Sequence, residues 1–425
     1  MFLLLAAQIH DKARHHSMSY TFAKRVVDLS PQSPIGWLNL GYAQEQLYLF
    51  DEAEQSYQRG LGVARTDEQK GTLRLNWAST LITKGDWEQA EVMARQALKY
   101  TPNSKKAAAN LGFALLAQRK WREGWPLYNS IVGFHDSRRK VQYVNEPTWT
   151  GKPGQKIVIY GEQGLGDEIS FASMIPDAIG RAGKVIVDCE QRLAGLFQRS
   201  FPQAKVYGTL KQANVSWAPE DQKIDASLTS AGLGGIFRNE PGDFPGTPYL
   251  VADPDRVVMW KGLWAKQGKP VIGIAWTGGV DWTAARYRQM TLEQLLPVFR
   301  SVDAVWVSLQ YKDASKEIAE FRARHPEIDL RQYAWGTLTK DYDDTAALVA
   351  SLDCVVAMQT TVVHLAGALG VPCLCLVNTC GQWRYGVDCD DMPWYGCVKL
   401  YRQDKSREWP LSRLVDDLRG KFDHN

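Results

Sequence analysis

The sequence predicts two architectures in one chain: an all-helical repeat array, then an α/β region built on two parallel sheets. Three observations predict it. Small residues within helical apolar patterns recur at spacings of 37 and 34 residues across the first third. Beyond it, β-branched apolar runs alternate with helical patterns, which implies parallel strands. That alternation occurs twice, in series divided near Gln267-Gly268-Lys269-Pro270.

The array is read from self-comparison. Leu38-Asn39-Leu40-Gly41-Tyr42 aligns with Leu75-Asn76-Trp77-Ala78-Ser79 and with Asn110-Leu111-Gly112-Phe113. Ala53, Ala90 and Gly124 follow Gly41, Ala78 and Gly112 by the same twelve positions, and Pro31 and Pro102 lie 71 apart. Two helices that cross closely need small residues at the crossing and large rings around it, a role open to Tyr57, Trp87 and Trp121. These stretches resemble tetratricopeptide repeats, roughly three and a half units over 1–134. Such arrays present a concave groove to extended peptides; a spacer or dimerisation arm is the rival reading.

Residues 135–155 read as a linker rich in turn chemistry, carrying Arg138-Arg139-Lys140. The first α/β half, 156–267, opens with strand Lys156-Ile157-Val158-Ile159-Tyr160, a helix over Ile169 to Ile179, strand Val185-Ile186-Val187-Asp188 and a helix over Arg192 to Arg199. The second half, 268–425, begins with strand Val271 to Trp276 and a helix over Leu292 to Phe299. Strands at Val305, Cys354 and Cys373 follow, with helices at Ala314, Thr345 and Val362 between them and a terminal helix. Two doubly wound Rossmann-like halves place a ligand at the carboxyl ends of the strands, in the cleft between them.

Composition narrows the function classes. Apolar residues make up 45 % and charged residues 23 %, as in ordinary soluble proteins, so wholesale disorder is excluded. A net charge of +3 lacks the dense basic face of duplex-DNA binders. No apolar run reaches the roughly eighteen residues of a membrane span. The start Met1-Phe2-Leu3-Leu4-Leu5 has no basic segment before it, so no secretory leader is read and a soluble, cytoplasmic protein is expected. The seven cysteines include no C-x-x-C pair and read as reduced thiols.

Three strand-to-helix junctions carry polar chemistry. The first is Gly161-Glu162-Gln163-Gly164-Leu165-Gly166-Asp167-Glu168, a glycine-rich turn whose amides can face an anion. Its spacing fits neither the dinucleotide fingerprint nor a P-loop. Asp167 and Glu168 stand where a helix begins, so capping or acid-base work both suit them. The second is Gln359-Thr360-Thr361-Val362-Val363-His364, where two hydroxyls cap a helix and His364 lies one turn in. That set suits a phosphate. The third runs from Trp276-Thr277-Gly278-Gly279 to Arg286-Tyr287-Arg288, whose arginines can grip a diphosphate or form a solvated loop.

Together with Ser308-Leu309-Gln310, Asp344-Thr345-Ala346-Ala347-Leu348 and Pro393-Trp394-Tyr395, these motifs resemble bacterial tetratricopeptide proteins fused to a heptosyltransferase-like glycosyltransferase of the GT-B fold. The resemblance covers essentially the whole chain, and protein O-GlcNAc transferase is similar more distantly. It implies inverting, metal-independent transfer from a nucleotide-diphosphate sugar, with no cofactor beyond that co-substrate. Asp167, after Gly166, occupies the position of the proposed base. Thr360, Thr361, His364 and Arg288 would stabilise the departing diphosphate, and Trp276, Thr277, Gly278 and Gln310 would line the donor pocket. Glu162, Gln163, Gly164 and Gly166 would form the acceptor-side turn. One position departs: relatives commonly have Asp before the paired hydroxyls, where this chain has Gln359, which can still hydrogen-bond a sugar.

The resemblance makes a protein or peptide, held by the repeats, the leading acceptor. A glycan, a lipid-linked sugar or a hydroxylated DNA base are alternatives, as is a non-catalytic scaffold. Asp341-Tyr342-Asp343 and Asp388-Cys389-Asp390 mimic a metal site, but the first precedes a helix and the second lacks a strand before it, so no metal is expected.

Overall fold

Helix starts in the first third are set by local caps. Ser33 accepts from the Gly36 amide with Pro34 at the first turn, and Thr66 forms a reciprocal capping box with Gln69. Asp86 and Ser104 cap in the same way, and Gly85, at φ 88°, closes a helix in the left-handed conformation. The computed structural model describes residues 2–134, 138–212, 215, 217, 223–279, 287–404 and 406–422. It divides into two units, residues 1–134 with 380–387, and residues 135–379 with 388–425.

The first unit contains helices α1 (Phe2–Lys12), α2 (His16–Leu29), α3 (Pro34–Gln46), α4 (Phe50–Val63), α5 (Asp67–Lys84), α6 (Trp87–Tyr100), α7 (Lys105–Ala117) and α8 (Trp121–Asn129). Each packs on the next, so α1 and α2 complete a pair that the sequence pattern counts as half a repeat. The small residues act at crossings: a Cβ on Gly41 would lie 2.6 Å from the Tyr57 ring, and one on Gly112 would meet the Tyr128 backbone at 2.7 Å. Buried Glu45 crosses between helices, accepting from Thr80 Oγ1 at 2.8 Å and Thr83 Oγ1 at 3.1 Å. Residues 380–387, which the sequence reading assigns to the C-terminal half, belong to this unit. Trp383 packs edge-on against Trp125 at 5.7 Å and Tyr128 at 5.5 Å between ring centroids.

The second unit contains two sheets. In the first, β1 (Lys156–Tyr160), β2 (Lys184–Asp188), β3 (Lys205–Tyr207) and β4 (Ala226–Thr229) run parallel in the order β3-β2-β1-β4. Ile157 stands between Val185 and Ala226, and β1 and β2 read as continuous apolar runs because both faces are covered. Thr148 of the linker adds a parallel bridge to Ser227. The helix expected over Ile169 to Ile179 is broken into α9 (Leu165–Phe171) and α10 (Ile175–Arg181), with Pro176 in the first turn of the second. A further helix, α11 (Ala194–Ser200), follows β2.

The second sheet has β5 (Val271–Ala275), β6 (Val305–Ser308), β7 (Leu330–Arg331), β8 (Cys354–Met358), β9 (Cys373–Val377), β10 (Asp391–Met392) and β11 (Tyr395–Arg402). Its order is β10-β11-β9-β8-β5-β6-β7, with β10 alone antiparallel. Ile272, Ile274, Val356, Leu374 and Leu376 form its core with Leu414 and Leu418 of the terminal helix Leu411–Phe422. Strand order reverses between β5 and β8, the switch point at which doubly wound sheets leave a crevice. The chain crosses to this sheet before residue 267. Tyr249 and Leu250 amides donate to the Ala368 carbonyl, and helix Pro254–Trp264 packs on helix Tyr342–Ala350. The architecture is therefore a tetratricopeptide-type helical array with two doubly wound α/β halves.

Candidate active site

The first junction is shaped by three acids with different fates. Gly161 is needed because a Cβ there would lie 2.4 Å from the Glu168 carboxyl, which crosses beneath the turn. Glu168 is 3 % exposed and accepts from the Glu190 amide at 2.9 Å. Burial pushes its pKa up to about 8; the Glu190 amide opposes that rise and the Glu190 charge adds to it. Glu162 is buried in a two-bond pair with Arg138, Nε to Oε2 at 2.6 Å and Nη2 to Oε1 at 2.8 Å. Its place is therefore structural, bracing the linker against the turn, and it is not an open acceptor-side carboxylate. Gln163 holds the turn at φ 66°, and Gly164, in extended backbone, caps α9. Half-buried Asp167 accepts from the Gly164 amide at 3.0 Å.

The second junction follows β8. Thr360 caps helix Thr361–Leu369, its Oγ1 accepting from the Val362 amide at 3.3 Å. Gln359, 1 % exposed, has both carboxamide atoms buried, with no hydrogen-bond partner among the described residues.

The third junction is folded back on itself. The Gly278 amide donates to the Arg288 carbonyl at 2.9 Å, and Thr277 bridges to Gln289. Buried Arg288 donates from Nη1 to the Gln359 carbonyl at 3.3 Å. Gln310 Nε2 donates to Thr277 Oγ1 at 2.6 Å. Trp276 is wholly buried in the core, its indole donating to Glu317 at 3.0 Å, so it supports the loop from below and does not line an open pocket. Arg286 falls within 280–286, outside the described residues.

These junctions converge. A Cβ on Gly166 would lie 3.2 Å from His364 Cδ2 and 3.3 Å from Thr361 Oγ1, so the start of α9 faces the start of helix Thr361–Leu369. A Cβ on Gly278 would lie 2.2 Å from Thr360 Cγ2, which brings the third junction against the second. Asp167, Thr360, Thr361, His364, Gly278 and Arg288 thus surround one locality at the carboxyl ends of β1, β5 and β8. The sequence reading missed Arg138 as the partner of Glu162. It names Tyr395 only within Pro393-Trp394-Tyr395 and gives it no role, whereas Tyr395 Oη is 3.2 Å from His364 Nδ1. A buried acid in a turn calls for a cation nearby, and Arg138 stood in the basic triplet upstream.

A cavity of about 530 Å³ lies elsewhere, lined by Phe201, Arg238, Phe244, Tyr249 and Trp394 among others, and includes none of the predicted site residues. The Asp-x-Asp acids have other work: Asp341 caps a helix and pairs with Arg256, while Asp343 pairs with Arg199 at 2.7 and 2.9 Å. Among the described residues, no helix is long and apolar enough to cross a membrane.

No family model matches the sequence. The chain is 30 % identical to Protein FlbA of Caulobacter vibrioides over 424 residues, 93 % of this chain and 69 % of that one. Among solved structures, it is similar to E. coli ADP-heptose lps heptosyltransferase II at 13 % identity and a TM-score of 0.44, over 63 % of this chain and 98 % of the other. It is also similar to a mutant of Thermobaculum terrenum O-GlcNAc transferase at 15 % identity and a TM-score of 0.34, over 99 % and 92 % of the two chains.

Proposed function

This chain belongs to the family of Protein FlbA of Caulobacter vibrioides, and for it we propose inverting, metal-independent glycosyl transfer from a nucleotide-diphosphate sugar to a protein or peptide hydroxyl. The observation that carries the reading is the meeting of Gly166 with Thr361 and His364 beside the buried carboxamide of Gln359.

In this mechanism Asp167 takes the proton of the acceptor hydroxyl as its oxygen attacks the anomeric carbon from the face opposite the phosphate. The bond from that carbon to the phosphate oxygen breaks, the sugar inverts, and the nucleoside diphosphate leaves with added negative charge. The amides at Thr360 and Thr361, the dipole of their helix, His364 and Arg288 offset that charge, so a divalent metal has no required role. Gln359 donates to and accepts from the sugar or its phosphates, and Thr277, Gly278 and Gln310 bound the nucleoside side. The helical array recruits the acceptor. Reading the seven cysteines as reduced thiols supports a reducing, cytoplasmic setting.

Titration calorimetry of the whole chain with nucleoside diphosphates in EDTA tests the donor site. Binding without added metal is expected. Binding that strictly requires a divalent ion overturns the reading.

A further inference from the structure

The two edges of the His364 imidazole face different elements. The Cδ2 edge, which carries Nε2, faces Gly166 at the start of α9. The Nδ1 edge lies 3.2 Å from Oη of Tyr395, the first residue of β11. That phenol oxygen is in turn 3.4 Å from Oη of Tyr249. Tyr249 donates its own proton to the Ile169 carbonyl of α9 at 2.7 Å. The contacts close a circuit: α9 holds Tyr249, Tyr249 meets Tyr395, Tyr395 meets His364, and His364 returns to α9.

Proton counting gives the circuit a direction. A carbonyl only accepts, so the Tyr249 proton is committed and its oxygen can only accept from Tyr395. Burial pushes the Tyr249 phenol well above its ordinary pKa, so it stays an O–H. Tyr395 has one proton, and Nδ1 of His364 lies nearer to its oxygen than Oη of Tyr249 does. Donation to Nδ1 leaves the neutral ring protonated at Nε2. When the ring is charged, Nδ1–H donates to Tyr395, and Tyr395 turns its proton to Tyr249. The His364–Tyr395 bond survives in both states, and the charged state adds the bond from Tyr395 to Tyr249. Packing fixes the relay in place: a Cβ on Gly367 would lie 2.3 Å from Cγ of Tyr395, so only glycine admits that ring.

We propose that Tyr395, packed in its slot beside Tyr249, is a positioning residue that keeps Nε2–H of His364 directed at a phosphate group held between the two helix starts. The proposal rests on the nucleotide-sugar reading of the site.

Tyr395→Phe keeps the ring in its slot and removes the donor. In the full chain with ¹⁵N-labelled histidine, wild-type His364, assigned with His364→Gln, should show Nδ1 as a hydrogen-bonded acceptor and Nε2 protonated. Tyr395→Phe should lose the Nδ1 bond and mix the tautomers. Affinity for ADP, GDP and UDP, each titrated in EDTA, should fall roughly three- to tenfold for those that bind wild type. Tyr249→Phe removes the rival acceptor, so the Nδ1 bond and nucleotide affinity should hold or strengthen; if Tyr395→Phe fails to fold, loss of the Nδ1 bond in Tyr249→Phe overturns the proposal. An unchanged Nδ1 signal in Tyr395→Phe overturns it as well. If no nucleotide binds wild type, the nucleotide-sugar reading fails, and the Nδ1 signal alone decides whether the relay exists.

Discussion

The two helix starts that face each other across the site are capped by opposite chemistry. At α9 a carboxylate turns back onto its own cap, Asp167 Oδ2 on the Gly164 amide. At Thr361–Leu369 a neutral hydroxyl does that work, Thr360 Oγ1 on the Val362 amide. Anions gain from a helix N-terminus, but a side chain that already supplies the negative charge leaves little to offer a ligand. In the proposed mechanism the α9 start holds the base and the Thr361 start the phosphate: a carboxylate at both ends would repel an anionic donor, and hydroxyls at both would leave no base.

The largest test of that division is Asp167→Asn. Asparagine still accepts from the Gly164 amide, so a cap alone predicts wild-type behaviour. A general base predicts a loss of about 10²–10⁴-fold in single-turnover rate, roughly 3–5 kcal/mol at the barrier. Nucleotide affinity and melting temperature should stay near wild type, and unchanged turnover would move the base elsewhere.

Glu168 sharpens the contrast at the acidic end. Its pKa rises from the ordinary 4.5 to about 8 because burial disfavours the charge. The folded chain therefore holds a proton that the unfolded chain has released. Stability falls as pH rises from about 4.5 to about 8 and levels off above that. Glu168→Gln should remove up to about 4 kcal/mol of that slope. Melting curves between pH 5 and 9 check it, and an undiminished slope would place the titration at another group such as Glu45, raised by burial to about 7.

The smallest effect is expected at the neutral end. Thr360→Val keeps the methyl against Gly278 but removes the cap, for about 1 kcal/mol of stability. Nucleotide affinity in EDTA should fall several-fold with it. A change in turnover without a change in affinity would contradict the assignment of the two ends.

What the sequence made legible follows from the range of the forces involved. β1, β2, β5, β6, β8 and β9 are apolar runs whose covered faces leave a local signature, whereas β3, β7 and β10 have two or three residues and exist through their neighbours' pairing. Pro176 splits one expected helix, and the helix ending at Phe299 begins at Leu296, with Pro297 in its first turn, instead of at Leu292. The helix at Pro254 carried its own signal, Asp253 as cap before Pro254, which the reading passed over. At the site, the junction glycines and threonines were readable because turns and caps act within four residues. Arg138 with Glu162 and Tyr395 with His364 are contacts between distant segments, which local pattern does not encode.

The packing of Trp383 against Trp125 and Tyr128 has a consequence for how the chain is made. Repeats of a solenoid seal one another through neighbour contacts alone, and synthesis delivers them in sequence order. Here the far end of the array waits for a tryptophan synthesised more than half a chain length later. Until then two rings that end wholly buried stand open. Closing that long loop raises the contact order of an otherwise local fold, so its last repeat is its slowest part to mature.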